Sequence, residues 1–241
     1  MGNNQNKSSA SQINKNLSVK EFMSSNLFKN KDYSAILRRD FVQDQSNENL
    51  SQEDSNLDNY TIKIQMTNEA VSQLGIGFAW ITNLEILEIY LSYNKVQDEG
   101  ANSLFNGIEQ CQNLECIFLE LRKNLISSKG ALGLAQGLSN CTNLKILYLD
   151  LMDNQIADQG ASNLIILLSK CKNLSNVNIS LENNKIVNIG EQIGSALQWC
   201  SNLIVLTLNL RSNQIGTKGL SNLGESLRNC LKLKSLNLDL Q

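Results

Sequence analysis

Five of the six cysteines in this chain, Cys111, Cys141, Cys171, Cys200 and Cys230, recur every 29 or 30 residues. Thiols in such a series could form bridges, hold zinc or act as nucleophiles. The sequence argues against each. No two stand as C-x-x-C, and the chain has no His, so the commonest zinc partner and the commonest general base are both missing. Positions one period apart on stacked helices sit about 10 Å from each other, past the ~7 Å that a disulfide can span. The series reads as a ladder of small buried hydrophobes.

The second candidate chemistry is a pair of carboxylates, Glu120 and Asp150, one period apart with Arg122 beside them. Two close carboxylates can share a proton or hold a cation. With no nucleophile or His nearby they read as part of a charged surface. The stretch "GIGFAW" at 75–80 begins like a dinucleotide loop, but Trp80 stands where the third Gly belongs and no P-loop signature occurs, so nucleotide binding is unsupported. No catalytic residue, metal site or cofactor is assigned.

The elements that position these residues are written as a repeat. Asn-Leu starts a unit at Asn83, Asn113, Asn143, Asn173 and Asn202, and a sixth unit has Lys232 in place of Asn, at intervals of 30, 30, 30, 29 and 30. "LKILYLDL" (144–151) alternates with period two and predicts a strand with Leu147, Leu149 and Leu151 facing inward. Each unit then has an Asn (94, 124, 154, 184, 213), suited to satisfy turn backbone. Next come an aliphatic residue and a candidate helix N-cap: Asp98, Ser128, Asp158, Asn188 or Thr217. Apolar pairs four apart follow: Leu104/Ile108, Leu134/Leu138, Leu164/Leu168, Ile193/Leu197 and Leu223/Leu227. That spacing predicts one buried helix face. One strand and one such helix cannot bury themselves, so copies must stack into a parallel sheet backed by helices.

The run "ILYLDLMDNQI" (146–156) resembles the leucine-rich repeat signature, and five consecutive copies carry it. The long helical half is similar to the ribonuclease-inhibitor type. The Cys-x-Asn-Leu junctions and the Asn-rich, Pro-free composition resemble leucine-rich repeat proteins of ciliated protists. The resemblance covers about 83–241, and 57–82 weakly. It implies an α/β horseshoe solenoid and a concave face that meets proteins; two extra strand residues upstream depart from the family pattern and are expected to lengthen the inner sheet.

Three regions follow. Residues 83–241 form the repeat domain. Residues 57–82 read as a degenerate capping repeat, with Ile62 and Ile64 on its strand and Val71, Leu74 and Phe78 on a helix capped by Thr67 or Asn68. Residues 1–56 are a polar extension, in which "KDYSAILRRDFVQ" places Tyr33, Ile36, Leu37 and Phe41 on one stripe of an amphipathic helix at 31–43. Residues 1–39 hold seven Lys/Arg against two Asp/Glu, and residues 40–60 hold six Asp/Glu and no base. The net charge of −2 suggests no nucleic acid partner. With no secretory or spanning segment, a cytoplasmic setting is expected, ciliary by the resemblance. Gly2 in "MGNNQNKS" partly fits a myristoylation site, and a membrane-peripheral position is expected only if it is acylated.

Outward residues of the strands form columns down the stack. In the first three units these include Ile86, Cys116, Ile146, Phe118, Tyr148 and Tyr90, an apolar and aromatic group beside Glu120, Asp150 and Arg122. Later units put Asn176, Asn178, Ser180, Asn209 and Asn237 at the same places. A folding requirement would act alike on every unit, so the difference points to partner binding. The expected function is a non-enzymatic interaction scaffold; the alternative is a regulator of a GTPase or other enzyme. A second partner contact is expected at the open edge of the last strand, beside Leu236, Leu238 and Leu240.

Overall fold

The computed structural model describes residues 36–37, 66–81, 83–189, 201–228 and 230–241. Its strands are β1 (Ile36–Leu37), β2 (Ile86–Tyr90), β3 (Cys116–Glu120), β4 (Ile146–Asp150), β5 (Asn176–Ser180), β6 (Val205–Asn209) and β7 (Ser235–Asp239). The helices among the described residues are α1 (Asn68–Phe78), α2 (Asp98–Ile108), α3 (Ser128–Ser139), α4 (Ala157–Lys170) and α5 (Thr217–Leu227). All seven strands pair in parallel and in chain order. From β2 onward each outward residue stands opposite its counterpart one unit away, as in Glu88↔Phe118↔Tyr148↔Asn178↔Thr207↔Asn237. This is the stacked strand–helix alternation that the repeat predicts, in the α/β horseshoe that the resemblance implies.

The core fills the space between sheet and helices. Leu147, Leu149 and Leu151 are buried, as are Leu104, Ile108, Leu134, Leu138, Leu164 and Leu223, while Leu227 is packed against them and partly exposed. Ile193, Leu197 and Cys200 lie outside the described residues. So do Ile62 and Ile64, although α1 begins with Thr67 as its cap and buries Val71, Leu74 and Phe78.

Two columns of polar side chains stitch the units together. Asn154 is buried; its Nδ2 donates to the carbonyls of Leu121 and Leu151, and its Oδ1 accepts from the Ile126 N–H. Asn124 and Asn213 repeat that pattern between their own neighbours. Each amide closes its own turn and the previous one, so the ladder satisfies backbone groups that curvature pulls out of the sheet. The cysteines do a weaker version of this at the far end. Cys111 Sγ lies 3.5 Å from the Phe78 carbonyl and Cys171 Sγ 3.5 Å from that of Leu138, at the ends of the preceding helices. Burial pushes the Cys111 thiol up to about 11 and the Cys141 thiol up to about 12, so both stay protonated and inert near neutral pH.

Several expectations are corrected. Ile36 and Leu37 form a strand, with Ile36 opposite Glu88 and Leu37 opposite Ile89. Pairing with the open edge of β2 supplies backbone hydrogen bonds that an isolated helix turn would have to make alone. The rest of the 31–43 helix lies outside the described residues. The sheet is not lengthened: β2 to β7 run five residues each, and Leu144 is buried in the turn before β4. The predicted caps are also displaced. Gln97 and Ser127 hold the cap positions, and Asp98 is already helical. Asp98 instead accepts hydrogen bonds from Ser127 and Gly130 of the next unit. Asn68 serves Gln97 and Gly100 in the same way, and Asp158 serves Val187 and Asn188. The starts of α2 and α3 are thus satisfied by a side chain of the preceding unit. Ser128 is too short for that reach and donates to the Ile156 carbonyl; there α4 begins on Ala157 at φ 53°.

Candidate interaction face

The outward residues of β2 to β4 converge on one surface because register is maintained strand by strand. Ile86, Cys116 and Ile146 make its first row, Glu88, Phe118 and Tyr148 its second, and Tyr90, Glu120 and Asp150 its third. Ile86 is 54% exposed and Ile146 38%, whereas Cys116, Phe118, Tyr148 and Tyr90 are half-buried by their neighbours. Phe118 and Tyr148 stack with ring centroids 5.5 Å apart and planes 22° from parallel. The Tyr90 hydroxyl donates to Glu88 at 3.4 Å.

Acidic groups surround the rings. Burial first, then Asp150, Glu120 and Tyr90, push the Tyr148 phenol up. Burial and Glu88 do the same for the Cys116 thiol. Asp150 accepts from the Met152 N–H at 2.9 Å. Its carboxyl is raised above the ordinary value by burial, against lowering by that hydrogen bond and by Arg122, with Glu182 and Asp153 adding to the rise.

Glu120 and Asp150 are direct register partners, as the spacing predicts. Arg122, one step along, lowers the Asp150 carboxyl through its charge and also reaches the rim. Its Nε lies 4.0 Å from Asp153, and its guanidinium sits 5.5 Å from the Tyr93 ring centroid. Lys123 Nζ approaches the same ring at 4.7 Å. Tyr93 and Asp153 are members of this rim that the sequence reading passed over. With Lys123, Asn183 and Ser212 they form a column in the left-handed backbone region, each directly before a ladder Asn. The types at these places are Tyr, Lys, Asp, Asn and Ser, so no shared residue signals the column. Their only mark is position relative to that Asn.

Among the described residues, no group of His, Cys, Asp and Glu could hold a metal ion, and no helix is long and apolar enough to cross a membrane. Gly2 lies outside the described residues.

A family model described as Leucine Rich repeat matches residues 82–105, 141–164 and 201–224. The chain carries leucine-rich repeats. No curated protein matches the chain. Among solved structures, the tropomodulin C-terminal domain of Caenorhabditis elegans is similar over 68% of this leucine-rich repeat chain and 93% of its own, at 14% identity and a TM-score of 0.50. A structure titled Leiomodin-1 Actin-Binding Site 2 covers 67% of this chain and 87% of its own, at 13% identity and a TM-score of 0.47. Internalin C2 of Listeria monocytogenes covers 67% and 74%, at 21% identity and a TM-score of 0.37. At 14% identity the likeness to the tropomodulin domain is one of fold.

Proposed function

We propose that this leucine-rich repeat protein is a non-enzymatic interaction scaffold that holds a protein partner on the concave face of β2 to β4. The observation that carries this reading is the contrast within one register. Ile86, Ile146, Phe118 and Tyr148 stand where Asn176, Asn178, Thr207 and Ser235 stand in later units. Rings held rigid by stacking make low-entropy anchors for a partner. Glu88, Glu120, Asp150 and Arg122 at the margin then set orientation and encounter rate.

The test replaces Phe118 and Tyr148 together by Ser. Neither side chain enters the core, so circular dichroism should be unchanged, and affinity for partners identified by crosslinking mass spectrometry should fall by over ~1 kcal/mol, about fivefold. Full retention of affinity, or unfolding, refutes this assignment. The setting that fits buried free thiols is a reducing, cytoplasmic one. Acylation of Gly2 would add a membrane-peripheral position, which the intact mass of native protein reads directly.

A further inference from the structure

Charge is spread along the concave face as unevenly as apolar surface. At the outward strand positions and the position two residues past each strand, the units of β2 to β5 carry Glu88, Glu120, Asp150 and Glu182 against Arg122, a balance of −3. Those of β6 and β7 carry Arg211 and Asp239, a balance of zero. The chain as a whole holds 21 Lys/Arg against 23 Asp/Glu, so the excess is local. The acids are also held in place. Glu120 and Asp150 are register partners, on strands about 4.8 Å apart. Asp150 accepts from the Met152 N–H at 2.9 Å, Glu182 from Asn209 Nδ2 at 3.0 Å and Glu88 from the Tyr90 hydroxyl at 3.4 Å. These bonds orient the carboxylates and leave their charge in place. Arg122 shares its own charge with Asp153 and the Tyr93 ring at the rim. The Phe118–Tyr148 stack fills the row next to Glu120 and Asp150, two residues back along the strands, or about 7 Å.

We infer that the partner presents a basic segment to this face, with a Lys or Arg side chain lying along the Phe118–Tyr148 stack and its charge at Glu120 and Asp150. The inference rests on the reading of the face as a partner surface and adds the chemistry of the partner. Lysine and arginine join an apolar stem to a cationic head, and the face offers a bed for each in adjacent rows. A wholly apolar partner would strip water from these carboxylates with nothing in return. An acidic segment, or the phosphates of a nucleic acid, would meet like charge.

The probe is a ten-residue peptide of alternating Lys and Thr, with two counterparts in which every Lys is acetylated or replaced by Glu. Fluorescence anisotropy reads binding to the full chain. The Lys peptide should bind, the acetylated one at least about fivefold more weakly, and the Glu peptide not at all. Glu120→Gln/Asp150→Asn should weaken the Lys peptide at least about fivefold, whereas Asp239→Asn, which removes an acid from the same row in the last unit, should change it less than about twofold. Circular dichroism should be unchanged, since Asn209 already makes with Arg211 the bond that Asp150 makes with Met152. Should the double variant unfold, Asp150→Asn alone carries the comparison, with an expected loss of at least about threefold. No binding of the Lys peptide, equal binding of its acetylated form, or equal loss in Asp239→Asn overturns the inference. The two readings fail separately. A partner weakened by Phe118→Ser/Tyr148→Ser but not by Glu120→Gln/Asp150→Asn keeps the face and loses its basic occupant. A partner indifferent to the ring variant sinks the reading of the face itself.

Discussion

The first and last parts of this solenoid use one repeat for different ends. Around α1 to α3 the helices approach so closely that glycine is required. A Cβ on Gly107 would land on the carbonyl of Gly75, and one on Gly137 on that of Phe105. Around α5 a Cβ on Gly224 meets nothing within 4 Å. In the Asn ladder, Asn94, Asn124, Asn154 and Asn184 are buried and Asn213 is half-exposed. The outward columns differ too, aromatic and aliphatic early and amide-rich late. The closely stacked end is also the end with the anchors. A partner surface needs fixed side chains, and close helix stacking is one way to fix the strands that carry them.

The contrast in stacking should give the largest effects. Gly107→Ala should lower folding stability by about 3 kcal/mol, because backbone has to move and overpacked sites relax poorly. Gly224→Ala should raise it by about 0.5 kcal/mol, since a helical Gly is replaced by a better helix former in open space. Chemical denaturation reads both, and equal effects at the two positions would break the comparison. The ladder gives the next pair. Asn154→Ala strands buried backbone groups on two units and should cost about 3 kcal/mol, whereas Asn213→Ala, where water can substitute, should cost about 1 kcal/mol. The face gives a third: Phe118→Ser/Tyr148→Ser should weaken partner binding by over ~1 kcal/mol, and Asn178→Ser/Thr207→Ser by under ~0.5 kcal/mol.

The repeat was legible because its signals are periodic and local. Leu147, Leu149 and Leu151 alternate, Leu134 and Leu138 lie four apart, and both patterns recur often enough to outweigh any single exception. What lay beyond the sequence is contact between units. Asp98 looks like a cap for its own helix, and by type it is a good one. That it caps the helix thirty residues on depends on the offset between stacked units, which no local pattern records. Arg122 has the same lesson: its position beside the Glu120/Asp150 pair can be read from the spacing, but its approach to Asp153 and Tyr93 at the rim cannot. Ile36 and Leu37 show a third case, since a helical stripe and a short edge strand share those residues, and an unpaired sheet edge decides between them.

The smallest effect concerns charge in the third outward row, where Asp150 of the early units corresponds to Asn209 of the later ones. The two make the same turn: Asp150 Oδ1 accepts from the Met152 N–H at 2.9 Å, and Asn209 Oδ1 from the Arg211 N–H at 3.0 Å. Asp150→Asn therefore keeps the hydrogen bond and removes only the charge. Burial, with Glu182 and Asp153, holds the Asp150 carboxyl above its ordinary value. A carboxyl raised in this way binds its proton more tightly folded than unfolded, so stability falls as pH rises from the ordinary carboxylate range through the folded pKa. Asp150→Asn should leave stability at low pH unchanged and make the protein slightly more stable than wild type at neutral pH. The reverse exchange, Asn209→Asp, sets a carboxylate where the amide now donates to Glu182, and should introduce the same downward slope in the later units. Denaturation midpoints measured across pH 3 to 7 check both, and an Asp150→Asn variant that is less stable at neutral pH than at acid pH, relative to wild type, would mean that Arg122 outweighs burial at this site.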